Sequence, residues 1–85
     1  METRDILARN LKRQRKAQKL SQEELAHRAN IDRTYISSLE RCVYGATIDV
    51  VEKLAVALGI TAADLLKLPS EIDSEMPRPA EPGGA

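Results

Sequence analysis

The strongest structural signals of this chain lie in SQEELAHRANIDRTYISSLER, residues 21–41. Ser21 and Glu24 have the spacing of a capping box, in which each side chain accepts a hydrogen bond from the other residue's backbone N–H. Apolar residues then recur at helical spacing: Leu25, Ala26 and Ala29. Asn30 follows, and asparagine tolerates the left-handed conformation that ends many helices. These signals predict a short helix that begins after Ser21 and ends at Asn30.

A second helix is predicted directly after the first. Asp32 has a side chain suited to an N-cap, and Ile36 with Leu39 supplies a buried stripe. Two helices that meet sharply over three or four residues form a helix-turn-helix, whose second helix usually enters the major groove of DNA. The sequence therefore predicts a recognition helix at about residues 32–41.

Further helices are predicted on either side of this pair. Helix 1 is expected at about residues 4–18, with Thr3 as its cap and with Leu7 and Leu11 on its inner face. Helix 4 is expected to begin after Thr47. Its apolar residues repeat at spacings of three and four: Ile48, Val51, Leu54, Ala55 and Leu58.

A fifth helix completes the predicted domain. Gly59 ends helix 4 as a left-handed C-cap, and Thr61 with Asp64 forms another capping box that opens helix 5. Helix 5 is expected to bury Leu65 and Leu68. Because no segment alternates in the manner of a strand, we predict an all-α, compact five-helix domain with the helix-turn-helix at helices 2–3.

Length and composition bound the class of protein. Eighty-five residues permit one domain, which buries only about 60% of its unfolded surface, so dimerisation is a common source of added stability. One cysteine excludes an internal disulfide, and no Cys/His cluster has zinc-site spacing. No apolar run approaches the roughly 20 residues of a membrane span, and the N-terminus lacks a signal peptide's apolar region. We expect a cytoplasmic bacterial protein without cofactor, metal or membrane partner.

The zero net charge conceals an asymmetry. Residues 1–41 carry ten Lys and Arg against six Asp and Glu, whereas residues 42–85 carry three against seven. The net charge is therefore +4 for residues 1–41 and −4 for residues 42–85, and the helix-turn-helix lies in the basic part. We interpret this asymmetry as one basic face of the domain that meets an anionic partner. The alternative is that the charges are segregated by chance in a short chain.

The last residues have a different composition from the rest. Residues 69–85 contain all four prolines, two glycines and four acidic residues against one arginine. Such a segment buries too little apolar surface to offset its ordering entropy. We therefore expect a domain at residues 1–68 and a disordered, acidic, Pro/Gly-rich tail at residues 69–85.

At this point the chain resembles the lambda-repressor/Cro-like (XRE) helix-turn-helix regulators of bacteria and phages. The resemblance is carried by LSQEELA (20–26), RTYIS (33–37), the Leu-Glu-Arg ending at 39–41 and LAVALGI (54–60), and it covers about residues 7–66. It implies a DNA-binding transcriptional regulator that acts as a homodimer on double-stranded DNA. The segment IDRTYISSLER (31–41) is similar in sequence to restriction–modification controller proteins.

The candidate base-reading residues lie on the outward face of helix 3: Arg33, Thr34, Ser37 and Ser38. An arginine can hold guanine O6 and N7 together, which is the commonest specific contact in the major groove. The resemblance implies base reading by Thr34 and Ser38. For each of these side chains, a contact with phosphate or with water is the alternative.

Candidate phosphate contacts lie on three helices. Gln22 opens helix 2, whose N-terminal N–H groups favour an anion, and the resemblance implies that it also braces the start of helix 3. The Tyr35 hydroxyl could reach phosphate, although a structural tyrosine explains it nearly as well. Lys12 and Arg13 of helix 1 are candidates as well, and a solvated helix face is the alternative for them.

Other residues are expected to act structurally or to depart from the family pattern. The resemblance implies an ion pair between Arg15 and Glu40 that links helix 1 to the end of helix 3.

Lys19 stands where the family has glycine, which either lengthens helix 1 or strains the turn. The loop after helix 3, residues 42–46, lacks the family's polar and basic residues, so its phosphate contacts are in doubt. Cys42 in that loop is expected to be an inert packing group rather than a redox sensor.

Three functional classes follow from these observations. A sequence-specific regulator on a two-fold symmetric operator is preferred, and no small-molecule effector is evident. The alternative is a protein-interaction module of the same fold, such as an antitoxin or co-regulator, favoured by exposed Val43 and Tyr44 and the acidic tail. An enzyme is not expected, because one histidine and one cysteine leave no candidate nucleophile–base pair.

Overall fold

The computed structural model describes residues 2–68 and consists of α-helices joined by short turns. The helices are α1 (Thr3–Ala17), α2 (Gln22–Ala29), α3 (Arg33–Glu40), α4 (Ile48–Leu58) and α5 (Ala62–Leu65). No β-strand occurs within residues 2–68. The five-helix, all-α prediction is therefore confirmed. The prediction of a disordered tail concerns residues that lie outside the described ones.

The helix-turn-helix begins with the two caps that the sequence predicts. The backbone N–H of Glu24 donates to Ser21 Oγ at 3.0 Å, and the backbone N–H of Ser21 donates to Glu24 Oε1 at 2.8 Å. Asp32 Oδ1 accepts a hydrogen bond from the N–H of Thr34 at 3.0 Å. Each bond satisfies an N–H that has no partner within its own helix. Local hydrogen bonding therefore sets where α2 and α3 begin.

The predicted cap of α5 is correct, whereas the predicted cap of α1 is wrong. At α5, Thr61 and Asp64 exchange the two bonds of a capping box, at 3.0 and 3.1 Å. At α1, the cap is Glu2 and not Thr3, and the N–H of Glu2 donates to Asp5 Oδ2 at 3.1 Å. Thr3 already belongs to the first turn, because Asp5 takes the third helical position that a reciprocal partner requires.

The first four helices end in the same way. A residue after each helix has a left-handed backbone, with φ of 59° at Lys19, 59° at Asn30, 61° at Cys42 and 72° at Gly59. The N–H of the following residue donates to the carbonyl five positions earlier, at 2.9 to 3.0 Å, which is the Schellman arrangement. Asn30 and Gly59 end their helices as predicted. Lys19 strains the turn rather than lengthening α1, since left-handed geometry costs a non-glycine residue about 1–2 kcal/mol.

The core lies between all five helices. Helix α3 packs against α1 and α2, α4 packs against α2 and α5, and α5 packs against α1. Six apolar side chains in this core are at most 1% exposed: Leu11, Leu25, Ile36, Leu39, Leu54 and Leu65. Burial of each side chain contributes about 1.5–3 kcal/mol. Three of these residues belong to α2 and α3, so the core holds the helix-turn-helix rigidly.

A buried polar residue anchors the end of the domain. Asn10 is 2% exposed, and its Nδ2 donates to the carbonyls of Leu65 and Lys67 at 2.9 and 2.8 Å. These two bonds fix the end of α5 and the residues that follow it against α1. Nothing in the local sequence around Asn10 predicts them.

The predicted apolar stripe of α4 is correct except at its first member. Val51, Leu54, Ala55 and Leu58 are buried, but Ile48 is 85% exposed. Ile48 is the first residue of α4 and lies one turn before Val51, where no neighbouring helix covers it. At α5, Leu65 is buried as expected, whereas Leu68 is 42% exposed.

Candidate nucleic-acid interface

A turn of three residues holds α3 at a fixed angle to α2. Asn30 supplies the left-handed backbone, and the N–H of Ile31 donates to the carbonyl of Ala26 at 2.9 Å. The side chain of Ile31 packs partly against the core, and Asp32 caps α3. Hydrogen bonds and packing therefore determine the direction of α3, with no freely rotating linker between the helices.

Helix α3 has an inner side and an outer side. Ile36 and Leu39 point into the core and are 0% and 1% exposed. Successive side chains rotate by about 100° around a helix, so Thr34 and Ser37 lie away from this inner side. Arg33 precedes Ser37 by four positions and lies at the edge of the same outward face. Arg33 and Thr34 are exposed and Ser37 is half-buried. The structure therefore brings three of the four predicted base-reading residues onto one outward surface.

The predicted outward position of Ser38 is wrong. Ser38 is only 5% exposed, whereas the neighbouring Ser37 is half-buried. Its backbone carbonyl accepts the N–H of Val43, which closes the turn after α3. Ser38 lies four positions after the exposed Thr34 and so on a similar side of the helix, which means that its burial comes from what packs against the end of α3 and not from its angular position. Ser38 is therefore largely covered by protein, and base reading by this residue stays a prediction.

Arg41 belongs to the outward surface, and the sequence prediction missed it. It is the C-cap residue of α3, it is exposed, and it follows Ser37 by four positions. Residues four apart lie on one helix face, so the spacing of Ser37 and Arg41 contained the signal. We refer to Arg33, Thr34, Ser37 and Arg41 as the polar flank. It carries two positive charges at opposite ends of the helix and two hydroxyl groups between them.

A buried ion pair supports the end of α3. Glu40 Oε2 lies 2.6 Å from Arg15 Nε, and Glu40 Oε1 accepts from Arg15 Nη2 at 3.0 Å. The Arg15 and Glu40 side chains are 10% and 3% exposed. Arg15 Nη1 also donates to the carbonyl of Leu20 at 2.7 Å. The hydrogen bond with Glu40 raises the pKa of Arg15 above its ordinary value. These contacts tie α1, the start of α2 and the end of α3 together.

Gln22 joins the same group of side chains. Its Nε2 donates to Glu40 Oε1 at 3.1 Å, so Gln22 braces the end of α3 and not its start, which corrects the expected position. The reason is geometric: the first turn of α2 lies beside the last turn of α3. The amide retains one N–H that the bond to Glu40 does not use. That N–H remains compatible with a contact to phosphate at the half-buried Gln22.

The remaining phosphate candidates differ in their surroundings. Tyr35 is half-buried and its side chain packs against the core, which gives the tyrosine a structural function in addition to any contact by its hydroxyl. Lys12 and Arg13 lie exposed on α1. Within residues 2–68 neither forms an ion pair. Both side chains are therefore accessible to an anionic partner.

Cys42 is held as a protonated thiol. Its Sγ donates to Asp5 Oδ1 at 3.0 Å, and this hydrogen bond, with burial, raises the pKa of the Cys42 thiol. The same bond lowers the pKa of Asp5. Because the thiolate is the reactive form, the contact disfavours redox chemistry. The thiol instead links the turn after α3 to the start of α1.

Two classes of site do not occur in the described part of the chain. Residues 2–68 contain no group of His, Cys, Asp and Glu side chains arranged to hold a metal ion. None of the helices described here combines the length and apolar character needed to cross a membrane.

The fold and the polar flank define a helix-turn-helix domain, and comparison with known proteins identifies its family. The helix-turn-helix family model HTH_3 matches residues 11–65. The chain therefore belongs to this XRE-type helix-turn-helix family, as the sequence resemblance indicated.

Named relatives include transcription factors and control proteins. A hypothetical transcription factor of Neisseria meningitidis serogroup B is 43% identical over 68 residues, which are 80% of this chain and 64% of that protein. Control protein C.BamHI of Bacillus amyloliquefaciens is 45% identical over 47 residues, which are 55% of this chain and 58% of that protein. The chain thus matches less than two thirds of the length of these two relatives.

Solved structures agree with this assignment. The crystal structure of the Neisseria transcription factor superposes with a TM-score of 0.84 at 40% identity, over 88% of this chain and 86% of that one. The restriction–modification controller protein C.AhdI of Aeromonas hydrophila gives a TM-score of 0.71 at 34% identity, over 73% of this chain and 94% of that one.

Proposed function

We propose that the protein is a sequence-specific DNA-binding transcriptional regulator. The observation that carries this proposal is the polar flank, which is accessible on the outer side of a helix whose inner side is locked into the core. Membership of the helix-turn-helix family supports it. Such a rigid helix can lie in the major groove without the entropic cost of ordering a flexible segment.

Each member of the polar flank has a defined task in this proposal. Arg33, at the first turn of α3, makes a bidentate contact with a guanine, and Thr34 and Ser37 contact neighbouring base edges or phosphates. Arg41, at the far end, reaches the phosphate backbone. Gln22 donates its free N–H to a phosphate near the start of α2, where the helix dipole favours an anion.

The proposed operator is two-fold symmetric and the active species is a homodimer. Two recognition helices about 34 Å apart would then enter successive major grooves on one side of the duplex. Exposed cations such as Lys12, Arg13 and Arg41 supply attraction to phosphate, so binding should weaken steeply with salt. Regulation would follow protein concentration through dimerisation, in the bacterial cytoplasm where the DNA lies.

Within this class we place the chain with the controller type. The restriction–modification control proteins among its relatives support this, since C.SmaI of Serratia marcescens is 39% identical over 66 residues, which are 79% of that protein. The competing proposal is a protein-interaction module, and it is favoured by Val43 and Tyr44, which are 50% and 58% exposed. That module would show no preference among DNA sequences.

Selection of bound sequences from a random DNA pool tests the proposal. We expect enrichment of an inverted repeat whose half-site centres are about 10 base pairs, one helical turn, apart. The preference should persist when the salt concentration is raised while overall affinity falls. Recovery of unenriched DNA after several rounds would contradict sequence-specific binding and favour the interaction module.

A further inference from the structure

A row of basic side chains runs along the outer side of α1. Its four exposed members, which we call the cationic face, are Arg9, Lys12, Arg13 and Lys16. At about 100° per residue, they lie within about 100° of one another around the helix. No acidic residue occurs between position 6 and the end of α1. Within residues 2–68 none of the four forms an ion pair.

The spacing of the cationic face favours an anionic occupant. Residues three or four positions apart are neighbours on a helix surface, and four pairs of its members have this separation: 9 and 12, 9 and 13, 12 and 16, and 13 and 16. Neighbouring like charges destabilise a helix, most strongly at low salt. An occupant with several negative charges would relieve this repulsion.

The structure anchors the chain beside the cationic face just before an acidic segment, residues 69–75. Asn10 Nδ2 donates to the carbonyl of Lys67 at 2.8 Å, so α1 itself holds the chain two residues before this segment. Arg13 follows Asn10 by three positions, and the two side chains therefore lie about 60° apart around α1. An extended chain advances by about 3.3 Å per residue, so four residues after Lys67 span about 13 Å. The acidic segment thus begins within reach of the cationic face.

The acidic segment matches the cationic face in charge and in spacing. Its sequence, PSEIDSE, contains Glu71, Asp73 and Glu75 and no basic residue. Carboxylates two residues apart lie on the same side of an extended chain, about 6.6 Å from each other. Cations four residues apart are separated by about 6 Å along a helix axis. Three carboxylates at that interval can therefore lie along the cationic face together.

We propose that the acidic segment docks on the cationic face in the absence of DNA and competes with DNA phosphates for it. Lys12 and Arg13 are phosphate contacts in the proposed function, so the docked segment withholds cations that attract DNA of any sequence. No member of the polar flank belongs to the cationic face, so docking lowers non-specific binding more than base reading. The competition rests on the proposed function, whereas the docking does not.

Carbodiimide cross-linking of the full chain without DNA tests the docking. The reagent joins a lysine amine directly to a carboxylate beside it, and mass spectrometry of tryptic peptides locates the link. We expect the acidic segment to be joined to Lys12 or Lys16 in the monomeric gel band. Lys53, an exposed lysine of α4, is the control, because α4 packs against α5, after which the segment begins. Links to Lys53 at an equal or higher yield, or no link to α1, would overturn the docking.

Affinity for a random duplex tests the competition. The full chain with Glu71→Gln, Asp73→Asn and Glu75→Gln should bind this duplex about three- to tenfold more tightly than wild type at low salt. The gain should shrink as the salt concentration rises, because screening weakens both contacts. An unchanged affinity at low salt would overturn the competition.

A double-mutant cycle separates docking from the change in net charge. In an Arg9→Gln, Lys16→Gln background, the gain from neutralising the acidic segment should fall to about twofold or less. Arg28→Gln with Lys53→Gln, the same charge change on exposed positions of α2 and α4, should leave the gain intact. Equal gains in the two backgrounds would overturn the competition. If the chain binds no DNA, the proposed function fails and the cross-links still decide the docking.

Discussion

Removal of Glu40 should strongly destabilise the fold, although the residue touches no proposed ligand. The Glu40 carboxylate is 3% exposed and accepts from Arg15 Nε at 2.6 Å, from Arg15 Nη2 at 3.0 Å and from Gln22 Nε2 at 3.1 Å. In Glu40→Ala the guanidinium stays inside the protein with only the carbonyl of Leu20 as a partner. The substitution therefore creates an unpaired buried charge.

The expected cost follows from that stranded charge. Breaking a buried pair by removing one partner destabilises a protein by about 3–5 kcal/mol. Native domains have total stabilities of about 5–15 kcal/mol, and a domain of this size lies toward the lower end. Glu40→Ala should therefore remove most of the free energy of unfolding and leave the fold marginal at 25 °C.

Urea unfolding followed by circular dichroism at 222 nm measures this loss. The matched control is Arg15→Met with Glu40→Leu, which removes both charges and keeps apolar volume. We expect the double variant to be more stable than Glu40→Ala by at least about 2 kcal/mol, because it leaves no orphaned charge. A Glu40→Ala protein whose free energy of unfolding is within about 1 kcal/mol of wild type would contradict a buried pair and show that the pair is effectively solvated, as surface pairs are.

Three further outcomes test the helix ends. Ser21→Ala should lower the free energy of unfolding by about 0.5–2 kcal/mol, since the N–H of Glu24 loses its cap; an unchanged urea midpoint would contradict this. Lys19→Gly should raise the free energy of unfolding by up to about 1 kcal/mol, because the release of left-handed strain exceeds the added entropy of the unfolded chain. Lys16→Gly, the control inside α1, should lower the free energy of unfolding by about 1 kcal/mol. The pKa of Glu24 is lowered, first by the hydrogen bond from the backbone of Ser21. Its carboxylate therefore adds stability above pH about 4.3 that is lost as the pH falls through its folded pKa, and Glu24→Gln should flatten that acid limb in thermal melts.

The parts of the fold that depend on neighbouring residues could be predicted from the sequence. Ser21 with Glu24, Asp32 and the left-handed Gly59 each act through hydrogen bonds or backbone conformation within a few positions. Such signals need no knowledge of the rest of the chain. They define where the helices begin and end, and the apolar periodicity of Ile36 and its neighbours then selects the inner side of α3.

The predictions that the structure corrects concern which side of a helix is covered by a neighbouring element. Ser38 is polar and follows Ser37 directly, but a neighbouring element covers one of them more fully than the other. Ile48 continues the apolar spacing of α4 and yet extends past the elements that would bury it. The partners of Asn10 lie 55 and 57 residues away, so no local pattern contains them. Tertiary coverage of this kind is set by the packing of all five helices together.

Reading of base edges by the polar flank depends above all on Arg33, so we expect the Arg33→Ala variant to lose preference for the operator. The affinity of this variant should be measured by fluorescence anisotropy on the selected operator and on a random duplex, beside Arg28→Ala, an exposed arginine of α2. Loss of a bidentate base contact worth about 1–3 kcal/mol predicts a fall of about 5- to 150-fold on the operator and little change on random DNA. Equal losses on both duplexes, or no loss on either, would contradict the claim.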